Sequence, residues 1–439
     1  MIAADFVNDL TFNDLPPEAL ATLRRSFLDT MGVAAVGSTT QMAQIARKTA
    51  PLIGAGETRI LMSGQRVSHT AAAMAGAMTV DSVDAHDGTS PCKGHAGSAV
   101  FPALLALADT MPMDGATFAT LLAIGYEVSY RAGLAQHATC DDYHTSGAWT
   151  AIGVAAATAR AIGCDTPQIA HAAGIAEYHG PRSQMMRCID HPTMVRDGVG
   201  WGAPSGLAAA YLARNGFTGA PALTCDVASF WQDLGQTWTL VTDTHYKPYP
   251  CCRWAHPAID AAADLMQTHN LHHSNIASVE IKTFHNATRL AGHTPATPDE
   301  FAYAIAFPVA TQIVRGQIGV PELHQDTLTD PDILRISTNT QLIDDPHLTE
   351  ISVGKRWAAV SITTKNGETH TSPARTPRGD TDMPLSDAEI ATKFHLFADP
   401  VIGQNRAAEI EDLTSTFDTL NTKDFARLLD LCLTTPSSC

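Results

Sequence analysis

Gly115-Ala-Thr-Phe-Ala-Thr-Leu-Leu-Ala-Ile-Gly-Tyr-Glu-Val-Ser-Tyr-Arg-Ala-Gly-Leu-Ala-Gln136 sets apolar residues three and four positions apart and fills the gaps with alanine and glycine. That spacing predicts an amphipathic or buried helix, and the small residues predict close contact with other helices. The pattern recurs at Pro17 to Val36, Ser68 to Val80, Ser98 to Thr110, Ala148 to Ile162, Thr166 to Tyr178 and Gly202 to Asn215, separated by short polar breaks. A helical bundle is the expected architecture of this part of the chain.

The texture changes after residue 245. Ile276 to Phe284 alternates apolar and polar residues as a half-buried strand does, and so does Glu350 to Thr364. Lys365-Asn366-Gly367 lies between a strand at 357–364 and Glu368 to Ser372, and its Asn-Gly signals a hairpin. Helical patches such as Asp299 to Arg315 lie between the strands, while Thr294 to Pro298 and Thr371 to Pro384 read as loops. Helix returns after Pro384, where Ser386 and Glu389 have the spacing of a capping box. The sequence thus predicts a mainly α fold. A large helical domain is built from both chain ends, 1–244 plus 384–439, and a smaller α+β lid domain, 245–383, is inserted in it.

With 28 Lys+Arg against 45 Asp+Glu, the net charge of −17 excludes a general nucleic-acid binder, which needs a basic face. A local basic pocket for a small anion remains compatible with that balance. No run of eighteen apolar residues suggests a membrane span, and Met1-Ile-Ala-Ala-Asp-Phe lacks the pattern of a secretory signal, so a cytoplasmic location is expected. The nine cysteines, from Cys92 to Cys439, are irregularly spaced without a C-x-x-C pair, and reduced thiols are the expectation.

Three polar segments could carry chemistry. Asp81 to Ser98 crowds Asp84, His86, Asp87, Thr89, Lys93 and His95 between two helices, where a helix start offers free N–H groups to an anion; a solvated loop is the bland alternative. His137 to Gly147 is a second such loop, with His144 near its end. Histidine titrates near 6.5, so both loops could supply an acid or a base, although a lone histidine is more often structural. His245 to Pro257 lies at the expected domain junction, where Lys247 and Arg253 could hold a carboxylate, or the prolines and aromatics could simply form a rigid linker. Cys251 and Cys252 are read as buried small residues. His269 and His273 have an H-x-x-x-H spacing but lack the Glu of H-E-x-x-H, so no metal site is assigned. The chain has no P-loop, no dinucleotide fingerprint after a strand and no G-x-S-x-G elbow, and no cofactor is expected.

At these segments the chain resembles the MmgE/PrpD family, which contains 2-methylcitrate dehydratase, cis-aconitate decarboxylase and iminodisuccinate epimerase. Asp84-Ala-His86-Asp87-Gly-Thr89 and His95-Ala-Gly97-Ser98-Ala-Val are similar to the family's Asp-aromatic-Asp-Asp-Thr and His-Pro-Gly-Ser-Ala-Val. Tyr143-His144-Thr145-Ser146-Gly147 resembles its Phe-His-Pro-Thr-Gly, and Met194 to Gly202 its Met-Val-Lys-Asp-Gly-Ile-Gly-Trp-Gly. The most specific match is Lys247-Pro-Tyr-Pro-Cys-Cys-Arg-Trp-Ala-His-Pro-Ala-Ile-Asp260, close to the family's Lys-Pro-Tyr-Pro-Cys-Cys-Arg-Tyr-Thr-His-Pro-Ala-Ile-Asp.

The resemblance implies a homodimer and a metal-free pocket between the domains. Its lining would include Asp84, Thr89, His95, His144, Arg196 and Lys247, with a tyrosine of the decarboxylase branch falling on Phe307. Four departures stand out: His86 replaces an acid, Ala96 a proline, Arg196 a lysine and Phe307 the tyrosine. Arginine forks onto a carboxylate where lysine acts as a point charge, so the pocket is expected to be reshaped.

The implied chemistry forms a carbanion or enolate beside a carboxylate. His95 or His144 would move the proton, Asp84 would orient an imidazole or share the base role, and Lys247 would stabilise the developing charge. Thr89, His86, Arg196, Arg253 and Phe307 would contact a di- or tricarboxylate substrate. Dehydration of a citrate-like hydroxy acid is the leading expectation. Epimerisation of an iminodisuccinate-like substrate, decarboxylation, or carboxylate binding without turnover are the alternatives.

Overall fold

The computed structural model describes residues 2–435; Met1 and Cys439, both used above, lie outside them. Helix Gly115–Thr139 takes up the whole opening stretch, and Asp114 caps it by accepting from the Thr117 N–H at 2.9 Å. It packs on helix Gly147–Ala161, which packs in turn on Thr166–His179 and Val199–Arg214. The glycines explain how close these helices lie. A Cβ at Gly206 would come within 2.6 Å of the Ala151 carbonyl oxygen, and one at Gly153 would collide with the Gly125 carbonyl. The helices therefore meet nearly backbone to backbone, and dense packing is reached without large side chains.

The end of the chain returns to its start. Helix Asp387–Ile402 opens with the expected capping box, Ser386 N–H donating to Glu389 Oε2 at 2.8 Å and Glu389 N–H to Ser386 Oγ at 3.3 Å. It lies along helix Pro17–Gly37. One continuous apolar core joins Phe27, Phe101, Phe118 and Trp149 to Phe394, Phe417 and Phe425 from the last helices. The Phe27 and Phe417 rings are 5.1 Å apart, edge to face.

A second core holds Ile259, Ile281, Phe301, Phe307, Val360 and Ile362, with Met185, Cys188 and Ile189 of the short helix Met185–Asp190. It packs on a four-stranded sheet in the order Thr340–Asp344, Ile276–Thr283, Ala358–Thr364, Thr369–Thr371. The first pair is parallel and the others antiparallel, with Ile281 opposite both Leu342 and Val360. Buried and half-buried residues alternate along Ala358–Thr364, as a period of two requires. Gly367, at φ +90°, makes the turn of the expected hairpin. The result is the mainly α fold with an inserted α+β unit. Among the described residues no helix is long and apolar enough to cross a membrane.

Two local expectations need correction. Glu350 to Trp357 is not strand. Asp345 accepts from the N–H groups of His347 and Leu348, Pro346 sits at the first helical position, and helix Pro346–Ile351 forms instead, so the strand starts at Ala358. Asp299 to Arg315 is not one helix either. It divides into Pro298–Ala302 and Ala306–Arg315 with a break at Tyr303, a buried member of the second core.

Candidate active site

A two-residue strand pairing assembles the site. Gly88 lies opposite His245 and Thr89 opposite Thr244, so the first and third polar segments meet although far apart in the chain. Thr89 and Gly94 exchange backbone hydrogen bonds at 2.8 and 3.2 Å, which folds the loop back and sets His95 beside Thr89. A cavity opens there, between the helical and the α+β units. Asp84, Thr89, His95, His245, Lys247 and Arg253 line it, with Tyr143 and Asp197 from other helical-unit loops and Trp254, Tyr303 and Arg356 on the opposite side.

His95 Nδ1 lies 2.6 Å from the main-chain oxygen of Asp87. A carbonyl can only accept, so the proton resides on Nδ1 and the Nε2 lone pair is left to the cavity. Burial, followed by the charges of Lys247 and His86, holds this imidazole well below its ordinary value. His95 is therefore a neutral base. His86 stands behind it, edge-on at 4.4 Å, with Nε2 3.2 Å from Asp81 Oδ1. Burial works against a charged His86, but the Asp81 carboxylate outweighs it and the net shift is upward.

Lys247 Nζ donates to Asp84 Oδ1 at 2.6 Å and to the Asp84 main-chain oxygen at 3.0 Å, both residues being buried. Asp84 is held at φ +50°, Lys93 at +56° and Arg196 at +46°. These are three of the five non-glycine residues with positive φ among the described residues, and all lie at the cavity or against its wall. Such strain, about 1–3 kcal/mol per residue, persists only where the surroundings fix it, and it gathers at functional sites.

Asp197 accepts from the Ser146 N–H at 3.1 Å and from the Ser146 hydroxyl. Burial, and then the nearby Asp81 charge, push its carboxyl up to about 7. At neutral pH it is divided between acid and carboxylate. Burial and the neighbouring cations Arg253 and Lys247 keep His245 neutral, and its Nε2 has no partner. The Thr89 hydroxyl is also buried without a partner. The cavity thus offers two uncharged imidazoles, a proton-carrying acid and a set of cations around one small space.

Of the residues expected from the sequence, the structure brings Asp84, Thr89, His95, Lys247 and Arg253 together. Arg253 faces the cavity while paired with Asp380 at 2.7 Å. Four others stand elsewhere. His86 is fully buried behind His95. His144 pairs with Gln184 in a strand-like bridge flanked by the Tyr143–Met185 and Thr145–Ser183 hydrogen bonds, and alternation puts Tyr143 on the cavity and His144 off it. Arg196 is bound to Asp299 at 2.6 Å and to the Ser82 main-chain oxygen at 2.8 Å, outside the cavity lining. Phe307 is fully buried in the second core, 5.8 Å from the Phe301 ring. The helix break places Tyr303 at the cavity instead, with the Arg196 guanidinium 5.7 Å from its ring.

Sequence reasoning left out Asp197, His245, Tyr303 and Arg356 as site residues. His245 was within reach, two residues before Lys247 in the most specific motif. No three His, Cys, Asp or Glu side chains among the described residues are grouped as a metal centre requires.

Fold and cavity define the class: a mainly helical protein with an inserted α+β unit and a cation-lined site where the two meet. The MmgE/PrpD N-terminal domain family matches residues 2–238 and the MmgE/PrpD C-terminal domain family residues 249–419. The chain belongs to the MmgE/PrpD family and is an enzyme of lyase type. It is similar to a human cis-aconitate decarboxylase, 23% identical over 95% of this chain and 91% of the relative, and to one from Aspergillus terreus, 24% identical over 97% and 94%.

Proposed function

We propose that the enzyme removes a group from the carbon next to a carboxylate of a small di- or tricarboxylic acid, and that dehydration of a citrate-like hydroxy acid is the reaction its side chains serve best. The observation carrying this is the His95 imidazole, locked with its proton on Nδ1 and held neutral beside the Lys247–Asp84 pair. Nε2 takes the proton from the carbon α to a carboxylate. The electron pair spreads onto that carboxylate, where Lys247 and Arg253 stabilise the added charge. The β-hydroxyl leaves as water after taking the Asp197 proton, and an alkene remains. Positioned acid or base groups contribute about 10²–10⁴ each, so the electrostatic contribution must act with them.

Decarboxylation is the second reading, favoured by the names of the relatives. There the C–C bond breaks, CO2 departs, and the electron pair left behind is protonated from the same acid. The cationic pocket serves both reactions, which differ in what leaves. The test is product analysis by NMR after incubating purified enzyme with citrate, 2-methylcitrate, cis-aconitate and iminodisuccinate. An unsaturated tricarboxylate from a hydroxy acid supports dehydration, and loss of CO2 supports the second reading. An epimer alone, or no conversion with any of the four, contradicts the proposal.

A further inference from the structure

The cations around the cavity fall into two sets. Lys247 and Arg253 each hold a carboxylate, Asp84 and Asp380. Arg356 and Lys93 have none within ion-pair distance among the described residues. Arg356 lies in the turn between helix Pro346–Ile351 and strand Ala358–Thr364 of the α+β unit and is buried. Its guanidinium sits 5.9 Å from the Trp254 ring and 5.6 Å from that of Phe284. Nη1 donates to the main-chain oxygens of Lys355 and Ser352, at 2.7 and 3.3 Å. The planar fork is thus fixed against aromatic walls at the cavity without an ion pair of its own, the nearby Asp380 being held by Arg253. A buried cation left without an ion pair is costly, and an incoming anion would offset that cost.

Lys93 belongs to the helical unit, at the exposed rim of the same cavity. Its backbone is held at φ +56°, and the Tyr143 hydroxyl donates to its main-chain oxygen at 2.8 Å. Nζ lies 5.4 Å from the Tyr143 ring. Burial, and then the Arg356 charge, lower its ammonium from the ordinary value, as expected of two like charges facing one space. An anion between them would remove that repulsion and complete the guanidinium's hydrogen bonding.

We infer that Arg356 and Lys93 bind the substrate carboxylate remote from the reacting carbon, and that they are the residues by which this enzyme requires a second carboxylate. This rests on the carboxylate-substrate reading above. Arg356 supplies the planar fork that carboxylate geometry matches, and Lys93 supplies a mobile point charge at the mouth. The inner cations, each already paired with a carboxylate, face the reacting end. A monocarboxylate would occupy that inner end and leave the outer pair repelling.

The test is calorimetric binding of tricarballylate, which carries three carboxylates and no leaving hydroxyl, against butyrate, which carries one carboxylate. Wild-type enzyme is expected to bind tricarballylate the more tightly. Arg356→Met keeps an apolar chain against Trp254 and Phe284 and should weaken tricarballylate about tenfold or more while leaving butyrate unchanged. Lys93→Met, at an exposed position, tests the same contact without disturbing the buried stack, and should weaken tricarballylate in the same sense even if the first variant fails to fold. Unchanged tricarballylate affinity in the soluble variants overturns this assignment and leaves the carboxylate reading standing. No tricarballylate binding to wild-type enzyme overturns both. Inorganic phosphate binding as tightly as tricarballylate, with the same loss in Arg356→Met, would show a general anion site and overturn the specificity claimed.

Discussion

Lys247 donates to both the side chain and the main chain of Asp84, at 2.6 and 3.0 Å, so one ammonium neutralises a buried carboxylate and also secures the backbone that holds it at positive φ. Lys247→Met breaks both bonds and leaves Asp84 as an unpaired buried charge. The expected loss of stability is about 3–5 kcal/mol, read from denaturant unfolding. Turnover should fall by about 10² or more, because the cation facing the developing charge is gone. Near wild-type turnover in a folded Lys247→Met protein would remove this residue from the chemistry.

Asp197 makes stability depend on pH in a defined direction. Its folded value, about 7, is raised above the ordinary 3.8, so its contribution is fully present below 3.8 and is lost as pH rises through about 7. Asp197→Asn mimics the protonated carboxyl at every pH. Relative to wild type, the variant should therefore gain in melting temperature between pH 5 and pH 8, measured on both proteins by calorimetry. A constant difference across that range would mean that Asp197 is ionised throughout.

The same two groups set the expected pH profile of activity. His95 is depressed well below 6.5, so the base stays neutral and activity should persist below that pH. The acid is lost as Asp197 ionises, so kcat should decline above about 7. Asp197→Asn should flatten that alkaline limb and lower the maximum by about 10²–10⁴. An acid limb near 6.5, with no limb near 7, would contradict both assignments.

Tyr303 and Phe307 separate the cavity wall from the core. Phe307→Tyr buries a hydroxyl without a partner and should cost about 1–3 kcal/mol of stability, with little change in KM. Tyr303→Phe keeps the ring under Arg196 and removes only the hydroxyl of this cavity-lining residue, and should lower kcat/KM about tenfold with the fold intact. Paired melting curves and kinetics distinguish the two.

Legibility followed the range over which each signal acts. The Ala- and Gly-filled helices, the Asn366-Gly367 turn and the Ser386–Glu389 cap are local, and they could be read directly. Lys247, Arg253 and His95 stood out because several reactive groups share one short segment. Arg356 is hidden in the sequence because Glu350 to Thr364 alternates like a strand, whereas the Asp345 cap turns the start of that stretch into helix. Tyr303 was missed because the break before helix Ala306–Arg315 shifts which aromatic meets the cavity. Asp197 does not stand out in the sequence because its burial against Ser146 and Asp81 comes only from the tertiary fold.

The central claim is that a neutral His95 removes a proton from the carbon beside a carboxylate. Proton NMR in D2O, on the substrate identified from the panel and comparing wild type with His95→Gln, tests it most directly. Enzyme-dependent loss of the α-proton signal in wild type, reduced by about 10² or more in the variant, is the predicted result. Exchange at the wild-type rate in a folded His95→Gln protein, or product formed with the α-proton fully retained, would contradict it.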